Sequence, residues 1–277
     1  MRTLTRFLRQ NPIGMLGGLI VLLFAFIALF PQAVVHADPV EMHLEASLMP
    51  PNHEYPLGTD RYGRDILSRI AYGTRISFQV GVLSVMVAAV MGSVLGLLAG
   101  YLRGWTDYLV MRVMDTLFAF PSILLAIAIV AVMGAGLTSI VLAIGIIYTP
   151  IFARVARAPT LSVKEREFVT AAITIGANTS RILLRHILPN VLAPILVQVA
   201  LSLSGAIIVE AALSFLGLGA LPPTPSLGSM LSEGREFMEV APWTVLYPGL
   251  ALALMIMGVN LFGDGVRDLL DPRMRGY

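Results

Sequence analysis

The sequence predicts an all-α integral membrane protein with about six transmembrane helices and with both termini in the cytoplasm. Of its 277 residues, 57% are hydrophobic and 13% are charged, and the mean hydropathy is +0.82. Soluble domains, by contrast, carry roughly 25% charged residues. The charged residues lie between apolar stretches that are long enough to cross a bilayer, which takes about 20 residues of helix. Most of the basic residues fall on alternate connections, which indicates a fixed orientation in the membrane.

The charges define where each span begins and ends. No charged residue occurs between Arg9 and Asp38, which places a first span there. The uncharged stretch 116–153 is too long for a single crossing. Gly134 and Gly136 near its middle supply the flexibility that a tight turn between two spans needs. The predicted spans are residues 13–30, 76–102, 117–133, 137–153, a stretch that follows Asn190, and about 240–263.

The first span has an alternative interpretation as a cleaved signal peptide. Arg2, Arg6 and Arg9 resemble the basic region of such a peptide. The apolar block is longer than the usual 7–15 or so residues, however, and the residues after it form a poor cleavage site. We therefore predict an uncleaved anchor helix.

The distribution of Lys and Arg predicts the orientation. With the amino terminus inside, 14 of the 19 basic residues lie on inner segments and five on outer ones. This bias places both termini in the cytoplasm. The chain is thus divided into an anchor helix with an extracytoplasmic segment, residues 1–75, and a transmembrane core, residues 76–277. Because the charges are not clustered on one surface, they do not favour nucleic-acid binding.

The longest cytoplasmic connection is the loop 159–190, which is predicted to hold two short helices outside the bilayer. Ser162 and Glu165 have the spacing of a capping box at the start of the first helix. Gly176 is expected to end that helix, since glycine readily adopts the positive φ found past a helix end. An apolar stripe at helical spacing lies between these signals and comprises Phe168, Ala171, Ala172 and Ile175.

The second helix of the loop is predicted to begin at Thr179 or Ser180 and to stop at Pro189, where the fifth span begins. Arg181 and Arg185, four residues apart, would share one face. The small residues of the first helix allow close backbone approach, so that helix could dock into a partner's groove. The alternative is that its stripe packs on the inner ends of the protein's own spans.

Several classes of chemistry find little support. The sequence contains no cysteine, which excludes disulfides and Cys-based zinc or redox sites. Lys164 is the only lysine and has no glycine-rich turn before it, so the chain has no P-loop for ATP. His36, His43 and His53 are candidate metal ligands, but their spacing matches no known motif. No clustered constellation suggests an intramembrane enzyme.

Glu210 is the one carboxylate inside a long apolar run. A charge at the centre of the membrane costs about 2.5–3.5 kcal/mol on insertion scales, so this side chain should face protein or water. Counting about 1.5 Å per residue from Val191 places it about 30 Å along the fifth helix, near the outer surface. A gate, a lining residue of the translocation path and an interhelical hydrogen bond all remain open. A stand-alone ion-driven transporter would usually need more such residues.

The run from Glu167 to Ala172, followed by Gly176 and by residues 186–190, resembles the EAA loop of bacterial ATP-binding-cassette (ABC) importer permeases. The resemblance implies a coupling helix that sits in a cleft of an ATPase subunit. Thr170 stands where the motif has its glutamate, so a salt bridge from that position is not implied. The residues that the resemblance assigns to ATPase coupling are Glu167, Thr170, Ala171, Ala172, Gly176, Ala177, Arg181, His186 and Pro189.

The resemblance extends over about residues 56–273. The segments Pro56–Asp60, Gly63–Asp65, Phe215–Gly219 and Asp271–Arg273 look like those of dipeptide, oligopeptide and nickel permeases of the C type. This implies a type I importer fold and a bacterial or archaeal cytoplasmic membrane. It implies as partners a B-type permease, two ATPase subunits that bind ATP and Mg²⁺, and an extracytoplasmic binding protein. Di- or oligopeptides are the expected substrates, with nickel or a metal chelate as the alternative.

Overall fold

The computed structural model describes residues 12–270 and shows a helical membrane protein. Five single helices are long and apolar enough to cross a membrane, and a bent helix pair can form a sixth crossing. The basic residues near both termini and the segment 271–273 lie outside the described residues. The helices are α1 (Pro12–Leu29), α2 (Ile66–Leu102), α3 (Gly104–Ala119), α4 (Ser122–Met133), α5 (Leu137–Lys164), α6 (Glu167–Thr174), α7 (Thr179–Phe215), α8 (Leu227–Gly234) and α9 (Trp243–Leu270).

The centre of the fold is a close crossing of α2 and α5. Gly92, Gly96 and Gly100 are spaced four apart on α2, and a Cβ atom at any of them would overlap with atoms of α5. The overlapping residues are Thr149 for the first, Ala153 for the second and Thr160 for the third. Small residues at this spacing let two helix backbones approach closely in a membrane. Because the contacts advance in the same order on both helices, α2 and α5 run parallel.

The parallel arrangement of α2 and α5 requires the chain between them to return across the membrane. That return is made by α3 and α4, which are bent relative to each other by 98°. Since α2 and α5 point the same way, the bent pair forms a crossing of its own. The predicted third span, residues 117–133, therefore exists as a crossing, but its helix is broken at Phe120 and Pro121. Proline lacks the N–H that would continue the helix of α3.

The remaining spans alternate in direction. Gly81 of α2 packs on Ile207 of α7, while Ser77, earlier in α2, lies beside Glu210, later in α7, so these two helices are antiparallel. Gly17 of α1 packs on Phe262, and Gly258 of α9 packs on Ile20, so α1 and α9 are also antiparallel. The described chain thus makes six crossings, and its two ends lie on the same side of the membrane.

Two predicted boundaries are wrong. Helix α2 begins at Ile66, so the division at residues 75 and 76 falls inside a helix. Helix α5 continues to Lys164 and includes Ser162, which therefore does not form the predicted capping box with Glu165. The extension places the last turns of α5 beyond the hydrocarbon, where the charged side chains that follow Ala153 can reach water.

Pro189 does not stop a helix as predicted, because α7 runs continuously from Thr179 to Phe215. A π-helical turn, Ile182–Ile187, precedes the proline, and the Leu188 N–H donates to the Leu183 carbonyl five residues back. The wider turn accommodates a residue that lacks an N–H without ending the helix. The second predicted helix of the loop and the fifth span are therefore one element.

Candidate functional site

The candidate site is α6, the short helix at the inner ends of α5 and α7. Val169 and Ala172 are buried against the protein, with exposed fractions of 0% and 5%. The opposite face is open to solvent. It forms a shallow groove lined by Glu165, Glu167, Thr170, Ala171, Thr174 and Ile175.

This arrangement corrects the predicted docking surface. Ala171 is exposed as expected, whereas Ala172 points inward and holds α6 to its own chain. Phe168 and Ile175 are exposed by 40% and 85%. The predicted apolar stripe is thus divided between two faces, because neighbouring residues of a helix point about 100° apart. One face thus packs on the protein, as the alternative interpretation predicted, while the opposite face is exposed and docking on a partner stays a prediction.

Gly176 ends α6 as predicted, with a φ of +83°. The Ala177 N–H donates to the Ala172 carbonyl at 3.0 Å, and the Gly176 N–H donates to the Ile173 carbonyl at 2.9 Å. These two bonds form a Schellman motif, which satisfies the last carbonyls of the helix. A Cβ atom added at Gly176 would meet no other atom within 4 Å, so it is the backbone conformation alone that favours glycine here.

The start of α7 holds the other predicted coupling residues. Asn178, and not Thr179 or Ser180, caps this helix by accepting from the Arg181 N–H at 2.9 Å. Arg181 and Pro189 are exposed and do not line the groove. His186 packs near Phe168, with ring centroids 6.5 Å apart, and so connects the π-helical turn to α6.

Ion pairs at the inner ends connect the base of α6 to the central helices. Arg103, just after α2, pairs with Glu165 at 2.8 Å. The Lys164 ammonium donates to the Tyr101 carbonyl at 2.6 Å. These contacts were not predicted, although basic and acidic residues at facing helix ends were a signal for them. They join the end of α5, just before α6, to the end of α2.

A second ion pair holds α3 in place. Nε and Nη2 of Arg157 donate to the two carboxylate oxygens of Asp107, at 2.5 and 2.6 Å. Such bidentate pairs have a defined geometry as well as a favourable energy. The inner end of α3 is therefore fixed to α5 next to the base of α6.

Glu210 is fully buried near the outer end of α7. One of its oxygens accepts from the Ser214 hydroxyl at 2.7 Å, and Ser77 of α2 lies beside the same carboxyl group. Ala211, the next residue, lies under Gly228 of the outer helix α8. The position near the outer surface agrees with the count along the helix; the hydrogen bond to Ser214 lies within α7, and Ser77 is the polar neighbour from α2.

A buried ionic cluster on the outer side was not predicted. Arg64 donates to Asp60 and to Glu233, both at 2.6 Å. Arg69, which is 1% exposed, donates to Glu233 at 3.1 Å. These residues belong to the outer segment, to α2 and to α8, so the cluster fastens the outer segment to the spans. The sequence offered only the segments Pro56–Asp60 and Gly63–Asp65, in which Asp60 and Arg64 stand.

The three histidines of the outer segment do not converge. His43 lies 3.6 Å from Glu41 and 3.7 Å from Glu45. Within residues 12–270, no group of three or more side chains has the arrangement of a metal site.

Comparison with known proteins identifies the family. Residues 92–276 match the family described as binding-protein-dependent transport system inner membrane component. The chain is 47% identical over 268 residues to the dipeptide transport system permease protein DppC of Alkalihalophilus pseudofirmus, covering 97% of this chain and 88% of that protein. It is 46% identical to the glutathione transport system permease protein GsiD of Pectobacterium atrosepticum, covering 98% and 90%.

A solved structure shares the fold. An inward-facing structure of the MetNI methionine ABC transporter superposes with a TM-score of 0.59 at 17% sequence identity, covering 73% of this chain and 96% of that chain. The fold is thus that of an ABC importer permease, as the sequence resemblance implied. The chain is a multi-pass membrane protein that belongs to the family of binding-protein-dependent transport system inner membrane components.

Proposed function

We propose that the chain is a permease subunit of an ABC importer for di- or oligopeptides, and that it converts the motion of partner ATPases into alternating access. The relatives described above transport dipeptides or glutathione, which is itself a small peptide. That agreement favours peptides over nickel or a metal chelate. The chain acts as a transport subunit and not as an enzyme, and ATP with Mg²⁺ would be bound by the partners.

The observation that carries the proposal is the exposed face of α6. Its centre, Thr170, Ala171 and Thr174, has only short side chains. A helix face of this kind permits close approach of a partner's backbone. Glu165 and Glu167 at one side of the groove favour a partner surface with basic residues there. Thr170 in place of a glutamate leaves the contact at this position to packing and to the threonine hydroxyl.

The contacts of α6 explain how a movement would reach the spans. On one side, Glu165 and Lys164 connect it to the end of α2. On the other side, the Schellman turn at Gly176 leads directly into α7. A partner that moves α6 would therefore move both α2 and α7, and these two helices are joined at their outer ends beside Glu210. This supports rigid transmission from the inner to the outer side.

The proposal implies a complete assembly. It includes a second, B-type permease, two ATPase subunits and an extracytoplasmic binding protein, in the cytoplasmic membrane of a bacterium or archaeon. The outer segment is short and fixed to the spans by the ionic cluster. Substrate selection would then rest mainly with the binding protein.

The test is Ala171→Asp in the complete complex reconstituted into proteoliposomes. A carboxylate at the centre of the groove would be buried without a partner, and a cost of about 1.4 kcal/mol already corresponds to a tenfold loss of affinity. We expect peptide uptake and substrate-stimulated ATP hydrolysis to fall at least about tenfold. Ala158→Asp is the matched control, because Ala158 is also exposed near the inner end of α5 but lies outside the groove. Normal uptake by the Ala171→Asp complex would contradict the coupling role.

A further inference from the structure

Helix α3, the first part of the bent crossing, lies along the inner boundary of the membrane. Asp107 pairs with Arg157 and Asp115 with Arg154, and both arginines belong to the last turns of α5, beyond the hydrocarbon. The two aspartates are separated by about 12 Å along α3, whereas the two arginines are separated by about 4.5 Å along α5. Helix α3 is therefore steeply inclined to the spanning helix α5, and its 98° bend to α4 agrees with this placement.

The two sides of α3 differ in their chemistry. One side forms a groove of about 320 Å³ with α5, and charged residues of α3 that line it are Asp107, Arg112 and Asp115. The opposite side carries apolar residues at helical spacing, namely Leu109, Val110, Val113 and Leu117. Leu109 and Val113 are 58% and 48% exposed. An amphipathic helix of this kind lies in the plane of the membrane interface, with its apolar side in the acyl region.

Two aromatic residues mark the level of the lipid headgroups. Trp105 and Tyr108, in the first turn of α3, are 78% and 61% exposed, and their ring centroids lie 5.5 Å apart in an edge contact. Tryptophan and tyrosine are enriched at the membrane interface because each has an apolar ring with a polar tip. Trp105 lies between the apolar side and the groove side, and Arg112, about two turns later, lies on the same line of the helix.

Arg112 supplies the unbalanced charge of this region. Asp107 is neutralised by Arg157 and Asp115 by Arg154. Arg112 is exposed, and within residues 12–270 no carboxylate forms an ion pair with it. Three arginines against two aspartates leave a net charge of +1 on α3 and its ion-pair partners. The exposed side chain at the headgroup level therefore favours an anion.

We propose that α3 binds an anionic phospholipid of the inner leaflet, with the Arg112 guanidinium on the phosphate, Trp105 beside the headgroup, and Leu109 and Val113 against the acyl chains. The inference goes beyond the proposed function, because it concerns the lipid around the chain and not the substrate. Arginine suits a phosphate, since its planar fork can donate two parallel hydrogen bonds. Phosphatidylcholine offers the same phosphate together with a cation, so its headgroup has no net charge and is attracted less strongly.

The test is photo-cross-linking of the complete complex in vesicles that contain a photoreactive phosphatidylglycerol or a photoreactive phosphatidylcholine. Both lipids carry the same diazirine near the glycerol, and cross-linked peptides of this chain are located by mass spectrometry. One arginine near a membrane surface strengthens the binding of anionic lipid about fivefold. We therefore expect α3 to cross-link to phosphatidylglycerol about fivefold more than to phosphatidylcholine. Arg112→Gln should abolish this preference, and Arg112→Lys, which keeps the charge, should retain it.

Arg235→Gln is the matched control, because Arg235 is also exposed but lies on the outer side, next to Glu236. This variant removes the same charge and should leave the preference of α3 unchanged. Equal cross-linking of α3 to both lipids in the unsubstituted complex would overturn the proposal. Absence of any cross-link to α3 would overturn it as well, since another subunit would then cover this face.

Discussion

The packing of α1 on α9 yields a sharp prediction, because two adjacent glycines differ in their surroundings. A Cβ atom on Gly17 would lie 2.6 Å from the Cβ of Leu261 and would also overlap with the backbone at Phe262. A Cβ atom on Gly18 would lie 3.6 Å from the ring of Phe262, which is an ordinary contact. Gly17→Ala and Gly18→Ala are therefore the same chemical change in the same helix, with and without a clash.

The magnitude follows from the difference between the two variants. Both gain about 0.5–1 kcal/mol because alanine has less backbone freedom to lose than glycine. Only Gly17→Ala overfills the contact, which typically costs about 1–3 kcal/mol. The helix term cancels in the comparison, so Gly17→Ala should be less stable than Gly18→Ala by about 1–3 kcal/mol. At roughly 2–4 °C per kcal/mol for a chain near this size, the Tm values should differ by several degrees.

The assay is thermal unfolding of each purified variant in detergent, followed by far-UV circular dichroism and compared with the unsubstituted protein. Gly18→Ala is expected to match or exceed that protein in Tm. If Gly17→Ala were as stable as Gly18→Ala, the close approach of α1 and α9 would be wrong.

The remaining predictions concern the inner and outer ends of α7. Gly176→Ala should lower peptide uptake without preventing assembly, because alanine at φ +83° is strained by about 1–2 kcal/mol. Gly249→Ala is the control, since its added Cβ would meet only a side-chain methyl at 3.6 Å. Equal uptake by the two variants would contradict the role of the turn at Gly176. Glu210→Gln should retain most peptide uptake, because the glutamine amide can still accept a hydrogen bond from Ser214. Glu210→Leu cannot accept this bond and should lower Tm. Loss of uptake in Glu210→Gln at unchanged Tm would indicate instead that the charge of Glu210 itself acts in the solute path.

The sequence alone predicted much of the candidate site. The resemblance located α6, and Gly176 correctly predicted where that helix ends. What the sequence could not decide was which of two adjacent alanines faces outward. Periodicity shows that Ala171 and Ala172 lie near one face, but the inner ends of α5 and α7 determine that Ala172 is covered.

The errors have a similar origin. Ser162 and Glu165 satisfied the spacing of a capping box, but tertiary contacts at the inner end of α5 extended that helix past the local signal. Pro189 was expected to end a helix, and the π-helical turn before it absorbed the missing donor. Local signals fix what a segment can do, and the neighbouring elements select among the alternatives.

The sequence by itself determined that this protein resides in a membrane and crosses it about six times, and it predicts which connection forms the inner loop. These properties follow from the lengths of the apolar stretches, which must match the thickness of the hydrocarbon, and from the positions of the basic residues, which favour the inner side of the membrane. Only the tertiary structure decided that α2 and α5 cross in close contact, that the third crossing is broken at Pro121, and which faces meet protein. The physical reason is that lipid tails are as apolar as leucine, so hydrophobicity cannot distinguish a face that packs on a helix from one that faces lipid.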